Sequence, residues 1–437
     1  MLRRGRLYVA TLAAIIVSAA YAGEVPAPTA LIHAGHLLDR PGSQPRSSAT
    51  VLVRDGRIAE VRDGFVDPQD FPGAQVIDMR AYFVLPGLID SHVHFNGTES
   101  GKGALLERLS KDTAFFAYRA ATLARLTLDA GFTTVRVLGN PAGVTLSLRD
   151  AIAAGALPGP RILDAGNSIA ATGGSGDVTL GVHSALAGHM DQDNLCDGTE
   201  SCRRAVRLQV RRGVDLIKLK ITGGVNSRVA TGLGRQMFID EARAVVETAH
   251  LYGKKVAVHA HGADGINLAL ECGADSIEHG TLLDDQGIEL MLRSGAFLVP
   301  TLSTATTYVE RLANNPGTYT QEVREKMEWR ASVTGQALRQ AYARGVRIAF
   351  GTDAGVSPHG RNAEEFVLMV KYGMTPGDAI KAATLNAAEL LGIADEVGSL
   401  EPGKRADLVA VRGNPLEDIA VLQHVPFVMK GGLIWKQ

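Results

Sequence analysis

Short apolar stretches alternate with helical patterns through the middle of the chain, and that alternation leaves few architectures open. Strand candidates fall at residues 84–95, 133–138, 161–165, 214–221, 255–261, 275–279, 297–302 and 346–351. Between them, apolar residues recur at helical spacing over 102–130, 240–252, 265–272, 284–294 and 319–344. Eight strands taking turns with helices predict a (β/α)8 barrel, because parallel strands need a crossover between them. The 49 glycines suit a fold with many strand-to-helix turns.

The two ends have a different texture. Residues 30–78 read as short strands with a tight Asp55-Gly56 turn, and strand-like segments return after the turn at 401–404. Neither end has enough strands to stand alone, so both are expected to meet in one small β-sandwich over 23–84 and 397–437, with the barrel, 85–396, inserted between them. Residues 166–202 break the rhythm after the third strand. Rich in Gly, Ser, Thr and Asp, they are expected to form a lid over the barrel mouth.

The first residues belong to transport, not to the fold. A basic start, MLRRGR, an apolar run, LYVATLAAIIVSAA, and the small-x-small pattern Ala20-Tyr21-Ala22 read as a signal peptide, 1–22, cleaved near Ala22. The mature chain is expected in the periplasm or outside the cell, with no membrane span. A net charge of -1 over 437 residues gives no bias toward nucleic acid, and a small neutral or zwitterionic substrate fits it better. Export allows Cys196 and Cys202 to form a disulfide, whereas Cys272, at the end of a helical pattern, is expected as a buried thiol.

The chemistry gathers where apolar strands give out. In LPGLIDSHVHF, His92 and His94 are two residues apart, so an extended strand aims both imidazoles the same way. Later strands end in LIKLKITGG, VAVHAHG, SIEHGT and GTDAG, which place Lys218 or Lys220, His259 with His261, His279, and Asp353 at the same rim. Four imidazoles and a carboxylate suit Zn²⁺, and a pair of ions needs a bridging anion as well. A lysine deprived of water beside cations becomes a neutral amine that can take up CO2 to give a carbamate. Spacing leaves Lys218 and Lys220 equal for that part.

These motifs together resemble the amidohydrolase superfamily, and within it the branch of Xaa-Pro dipeptidases, imidazolonepropionases and ochratoxin-hydrolysing enzymes. The resemblance spans nearly the whole mature chain and implies a binuclear hydrolase acting on a dipeptide or N-acyl amino acid, ochratoxin A included. It implies that His92, His94 and Asp353 bind one divalent ion and that His259 and His279 bind the second. It assigns the bridging N6-carboxylysine to Lys218, through the IK dipeptide. Asp353 is expected to act as general base and then acid on a hydroxide between two ions, most simply zinc, with His261 contacting the substrate. Relatives in this branch are frequently multimers, which implies a homo-oligomer.

Two departures bear on the substrate. The branch often has Arg-Asp where this chain has Arg136-Val137, and a histidine in the Thr-Gly-Gly turn where it has Ser175. His183 and His189, in the lid, are expected to be exposed, and Arg228 and Arg361 stand as candidates for a substrate carboxylate. A mononuclear deaminase of cyclic amidines, a peptide-binding protein and a scaffold that has lost catalysis are the competing classes. A metal near one per subunit, metal-independent binding and missing ligands would mark them respectively.

Overall fold

Continuous buried runs, five residues long in the first two strands, anchor the outer sheet. The computed structural model describes residues 29–96, 101–140, 143–229 and 231–437, so the signal stretch 1–22 lies outside the described residues. Four strands come first: β1 (Ala30–Leu37), β2 (Arg46–Arg54), β3 (Arg57–Asp63) and β4 (Gln75–Pro86). Three more follow in parallel, β5 (Leu88–Val93), β6 (Phe132–Val137) and β7 (Arg161–Asp164). A parallel set of four is next: β8 (Ile217–Lys220), β9 (Val256–Ala260), β10 (Ser276–His279) and β11 (Phe297–Val299). The chain ends with β12 (Leu408–Val411), β13 (Phe427–Lys430) and β14 (Leu433–Lys436).

Both ends of the chain do meet, and they share a single hydrogen-bonded sheet in the order β14-β13-β12-β4-β1-β2-β3. The join is β4, which pairs in parallel with β1 and then, over its last four residues, antiparallel with β12. Ile32, Ala34, Val51, Ile77, Met79, Leu408 and Phe427 form one buried core on this sheet.

Inside, β5-β6-β7 and β11-β10-β9-β8 are separate parallel sheets with helices between their strands. Many of their side chains belong to a common core that reaches from Leu38 to Val428, while Ile89, Phe297 and Val299 pack in a smaller cluster. Backbone bonds also join the two sheets' edges. Asp215 N donates to Asp164 O at 2.8 Å, and Ile169 N donates to Lys218 O at 2.8 Å. On the other side Ala349 N donates to Leu298 O at 3.0 Å and Ser91 N to Phe350 O at 2.9 Å.

Three expectations need correction. Residues 346–351 make a single bridge, Ile348 to Leu298, and no continuous strand: Phe350 N donates to Ala382 O and Asn386 Nδ2 donates to Ile348 O, so helical residues take part of what a ladder would use. The helix expected over 319–344 is two, Gln321–Ser332 and Gln336–Ala343, broken at Gly335. Gly335 has φ +81°, and a Cβ there would meet the Tyr372 ring at 2.1 Å, so only glycine fits the break. The pattern over 102–130 likewise divides into Gly101–Ser110 and Thr113–Asp129.

The stretch 166–202 lends Ser168, Ser175, Asp177 and Asn194 to the lining of the cavity at the strand ends, and holds the short helix Ser184–Ala187 and the start of Thr199–Arg211. Bridges Ile169 to Leu219 and Ala170 to Leu195 tie it down, and Cys196 is bonded to Cys202. Cys272 is free and buried. No helix among the described residues is long and apolar enough to cross a membrane.

Candidate metal centre

The carboxyl ends of the inner strands surround a cavity of 1290 Å³, and all seven site residues named from the sequence line it. His92, His94, Lys218, His259, His261, His279 and Asp353 therefore face one space. Ser175, from the lid segment, and Arg228 line it too. Arg361 does not; it pairs with Glu310 and Glu364. His183 and His189 are exposed, and His183 accepts a hydrogen bond from Ala185 N at the head of a short helix.

The imidazoles are held from behind. His92 Nδ1 lies 2.8 Å from Glu278 Oε2, and His94 Nδ1 lies 2.7 Å from Gly139 O. His279 Nδ1 is 2.7 Å from Thr301 Oγ1, and His261 Nδ1 is 2.8 Å from Thr281 Oγ1. For these four rings the partners occupy Nδ1 and leave Nε2 for the cavity. His259 is turned the other way, with Nε2 3.5 Å from Gly223 O. Fixing one ring nitrogen so that the other can donate its lone pair is how metal-binding histidines are oriented.

Two clusters of donor atoms result. His92, His279 and Asp353 offer atoms within 4.8 Å of one another, and so do His259, His261 and His279. Oδ1 of Asp353 is 3.1 Å from His94 Nε2 and 3.5 Å from His92 Nε2, which adds His94 to the first group. His261 shares the second group with His259, two residues before it.

Backbone conformation makes the gathering possible. His279 and Asp353 have φ of 71° and 57°, and Thr301, which supports His279, has 48°. Side-chain-bearing residues seldom adopt this left-handed region, and such strain collects at functional sites. In a regular strand Glu278 and His279 would point to opposite faces. The turn at His279 lets His92 touch Glu278 at Nδ1 while its ring stands 5.1 Å from that of His279. Gly351 sits behind His92, and a Cβ there would approach Val299 Cγ1 to 2.4 Å.

Burial and charge set protonation. Burial, with Lys218 beside it, lowers His92 to about 4. Burial and then Arg330 lower His261 to about 3, and burial drives His259 and His279 well down too. All four are neutral at neutral pH. Burial pushes Asp353 up, but His92, His94 and Lys218 outweigh it and hold the carboxylate below its usual range. Lys218 is 1% exposed, and its Nζ has no hydrogen-bond partner. Burial, opposed by Glu278 and reinforced by Lys220 and Arg136, brings it to about 7. Lys220 differs: its Nζ reaches Ser175 O at 3.5 Å.

Glu278 is the residue that sequence reading passed over. It is fully buried, accepts from Ser276 Oγ at 2.6 Å and pairs with Arg136 Nη2 at 2.7 Å, while its other oxygen meets His92. Burial works against its charge, yet Arg136, His92 and Lys218 keep it ionised, at about 2. Arg136, noted only for the valine after it, is the counter-ion that makes this buried carboxylate stable. The presence of Glu278 in SIEHGT, one residue before His279, was the available signal.

The chain is similar in sequence and in fold to known proteins. Over 423 residues, 93% of this chain and 86% of the relative, the sequence is 34% identical to ochratoxinase from Aspergillus niger. It is 29% identical to imidazolonepropionase from Geobacillus thermodenitrificans over 206 residues, 45% of this chain and 43% of that one. A solved Xaa-Pro dipeptidase with methionine bound in its active site superposes with a TM-score of 0.88 at 41% identity, covering 94% of this chain and 100% of the other. The crystal structure of A. niger ochratoxinase superposes at 0.82, with 32% identity over 94% of this chain and 96% of that one. The profile of the amidohydrolase family matches residues 83–434, and the chain belongs to that family.

Proposed function

We propose that the protein is a binuclear metal-dependent hydrolase that cuts the amide bond of a dipeptide or an N-acyl amino acid, a class that includes ochratoxin A. The single observation that carries this reading is Lys218: a buried amine without a partner, brought to about 7, facing four imidazoles and a carboxylate. An uncompensated amine in such a place is costly unless it is converted to something else. Its neutral nitrogen bonds to the carbon of CO2 and releases a proton, leaving an anionic carbamate. Two divalent ions, zinc in the simplest case, would be held by His92, His94 and Asp353, by His259 and His279, and by modified Lys218 as the anionic ligand of both. In the same reading, the bonds between the inner sheets' edges close a (β/α)8 barrel, and the seven-stranded sheet is its β-sandwich companion.

Bound ions of this kind polarise a carbonyl and lower the pKa of water, so that a nucleophile is available near neutral pH. Asp353, charged and within reach of both His92 and His94, takes the proton released on attack and delivers it to the leaving nitrogen. His261, its Nδ1 accepting from the Thr281 hydroxyl, presents an Nε2 proton to the oxygen on which charge develops. The relatives support the substrate class, since one is named for ochratoxin and another for Xaa-Pro dipeptides.

We also propose export, with residues 1–22 removed. The charge and hydropathy pattern of that stretch supports it, and the Cys196–Cys202 bond suits an oxidising compartment. The test of the whole reading is a product screen of the mature chain, loaded with zinc in bicarbonate, against dipeptides, N-acyl amino acids and ochratoxin A. Release of a free amino acid that chelation abolishes is expected. Hydrolysis that survives chelation, or ammonia as the product, would sink it.

A further inference from the structure

Helix Gln321–Ser332 carries a cation that the cavity leaves without a counter-charge. Arg330 is 2% exposed, yet it lines the cavity beside His261 and Asp353. Nη1 donates to Thr334 Oγ1 at 2.9 Å, and Nη2 lies 3.3 Å from Pro300 O and 3.4 Å from Thr301 O. Those neutral acceptors aim the guanidinium and do not neutralise it. Among the described residues no carboxylate forms an ion pair with Arg330. Glu365 is close enough for its charge to act on Arg330, but both its oxygens accept from the amides of Leu302 and Ser303. Asp353 is turned to His92 and His94.

Apart from Lys218, the other cations at or beside the cavity are ion-paired or less buried, Lys220 and Arg311 being half-buried. Lys326 is paired with Glu322 and also donates to Ser227 O. Arg311 gives Nη2 to Val356 O at 2.6 Å. Arg228 is exposed, where solvent weakens any pairing. A buried guanidinium lacking an anion is expensive to keep, and its planar fork matches a carboxylate.

We propose that Arg330 receives the α-carboxylate of the amino-acid half of the substrate, so that a free carboxylate next to the scissile amide is what marks a molecule for cleavage. The proposal rests on the amide-hydrolase reading above and names the group that reading leaves unassigned. The same guanidinium rests on the carbonyl of Thr301, whose hydroxyl holds His279. A carboxylate docked there is thus registered to the frame that carries the metal ligands.

The test measures binding of L-methionine and L-phenylalanine against L-methioninol and L-phenylalaninol, which lack the carboxylate and offer no amide to cut. Calorimetry is run on the metal-loaded full chain as wild type, Arg330→Gln and Arg330→Lys, with metal content and melting temperature recorded. Wild type should prefer the acids by roughly 10- to 100-fold, the range for a hydrogen-bonded charge pair. Arg330→Gln should erase the preference by weakening the acids alone, and Arg330→Lys should keep part of it. A preference that survives Arg330→Gln, equal weakening of acid and alcohol, or no preference in wild type overturns the proposal. Should Arg330→Gln fail to fold, Arg330→Lys decides, since an unchanged preference there also overturns it. Hydrolysis is scored separately on the same samples: acid preference without turnover keeps the carboxylate receptor and removes the hydrolase, and turnover without acid preference does the reverse.

Discussion

His92 and Glu278 are joined at 2.8 Å through Nδ1 and Oε2, deep in the protein and 186 positions apart in sequence. Behind Glu278 stands Arg136, at 2.7 Å from its other oxygen. The carboxylate is held ionised by the guanidinium and in turn makes the opposite nitrogen of His92 a better donor. Glu278→Gln keeps the shape and removes the charge. It should weaken metal binding by roughly 10- to 100-fold, as loss of such a supporting carboxylate does. Chelator competition titrations would measure it, and an unaltered affinity would show that Glu278 only packs.

Lys218 and Lys220 give an internal control. Both come from β8, but only Lys218 is nearly fully buried with its nitrogen unpartnered. Lys218→Met should lose metal affinity roughly 10- to 100-fold or more, with partial recovery when short carboxylic acids are supplied to replace the carbamate. Lys220→Met should retain its metal. The opposite ranking by plasma mass spectrometry would move the bridge to Lys220.

Asp353 has two tasks to separate. Asp353→Asn leaves an oxygen donor but no proton acceptor, so turnover should fall by about 10²–10⁴ while much of the metal stays bound. Normal turnover at full metal occupancy would take Asp353 out of proton transfer.

How much of this could be read from letters follows from which physics each feature obeys. His92 and His94 were legible because strand parity is local, and so was the rim, because parallel strands ending in Gly or Thr announce where chains turn. Glu278 and His279 were not legible as neighbours of one ring, because the left-handed φ of His279 breaks the parity that sequence reading uses. Arg330 was hidden for a different reason. It sits on a helix, and nothing in helical spacing tells which turn of Gln321–Ser332 leans over the cavity. The segment 346–351 looked like a strand because apolar runs do not reveal that helical residues will claim Phe350 N and Ile348 O.

The disulfide joins Cys196, bonded through its amide to Ala170 O, to the second turn of helix Thr199–Arg211. It closes a short ring, so its contribution through the unfolded chain is modest, about 2 kcal/mol. Replacing both cysteines by serine should lower stability by that amount in denaturant titrations. No change would mean that the bridge is not formed in the folded protein.

Glu365 should make the stability of the metal-free protein depend on pH in a direction opposite to that of most carboxylates. Burial raises it from 4.5 to about 7, and Asp90 nearby adds to the rise; the amides of Leu302 and Ser303 pull the other way without prevailing. Its folded value therefore lies above its unfolded one. Between the two the native state holds the extra proton, so the stability it contributes is full below about 4.5 and is lost as pH climbs through about 7. Glu365→Gln cannot titrate. Its cost relative to wild type, which includes a lost acceptor for one amide, should be greatest near pH 5 and shrink toward pH 8, about the window those values define. Urea titrations of both metal-free proteins at intervals across that window would show the difference directly. A difference that stays flat, or grows with pH, would mean that Glu365 is ionised throughout, and that Arg330 has a full counter-charge close by after all.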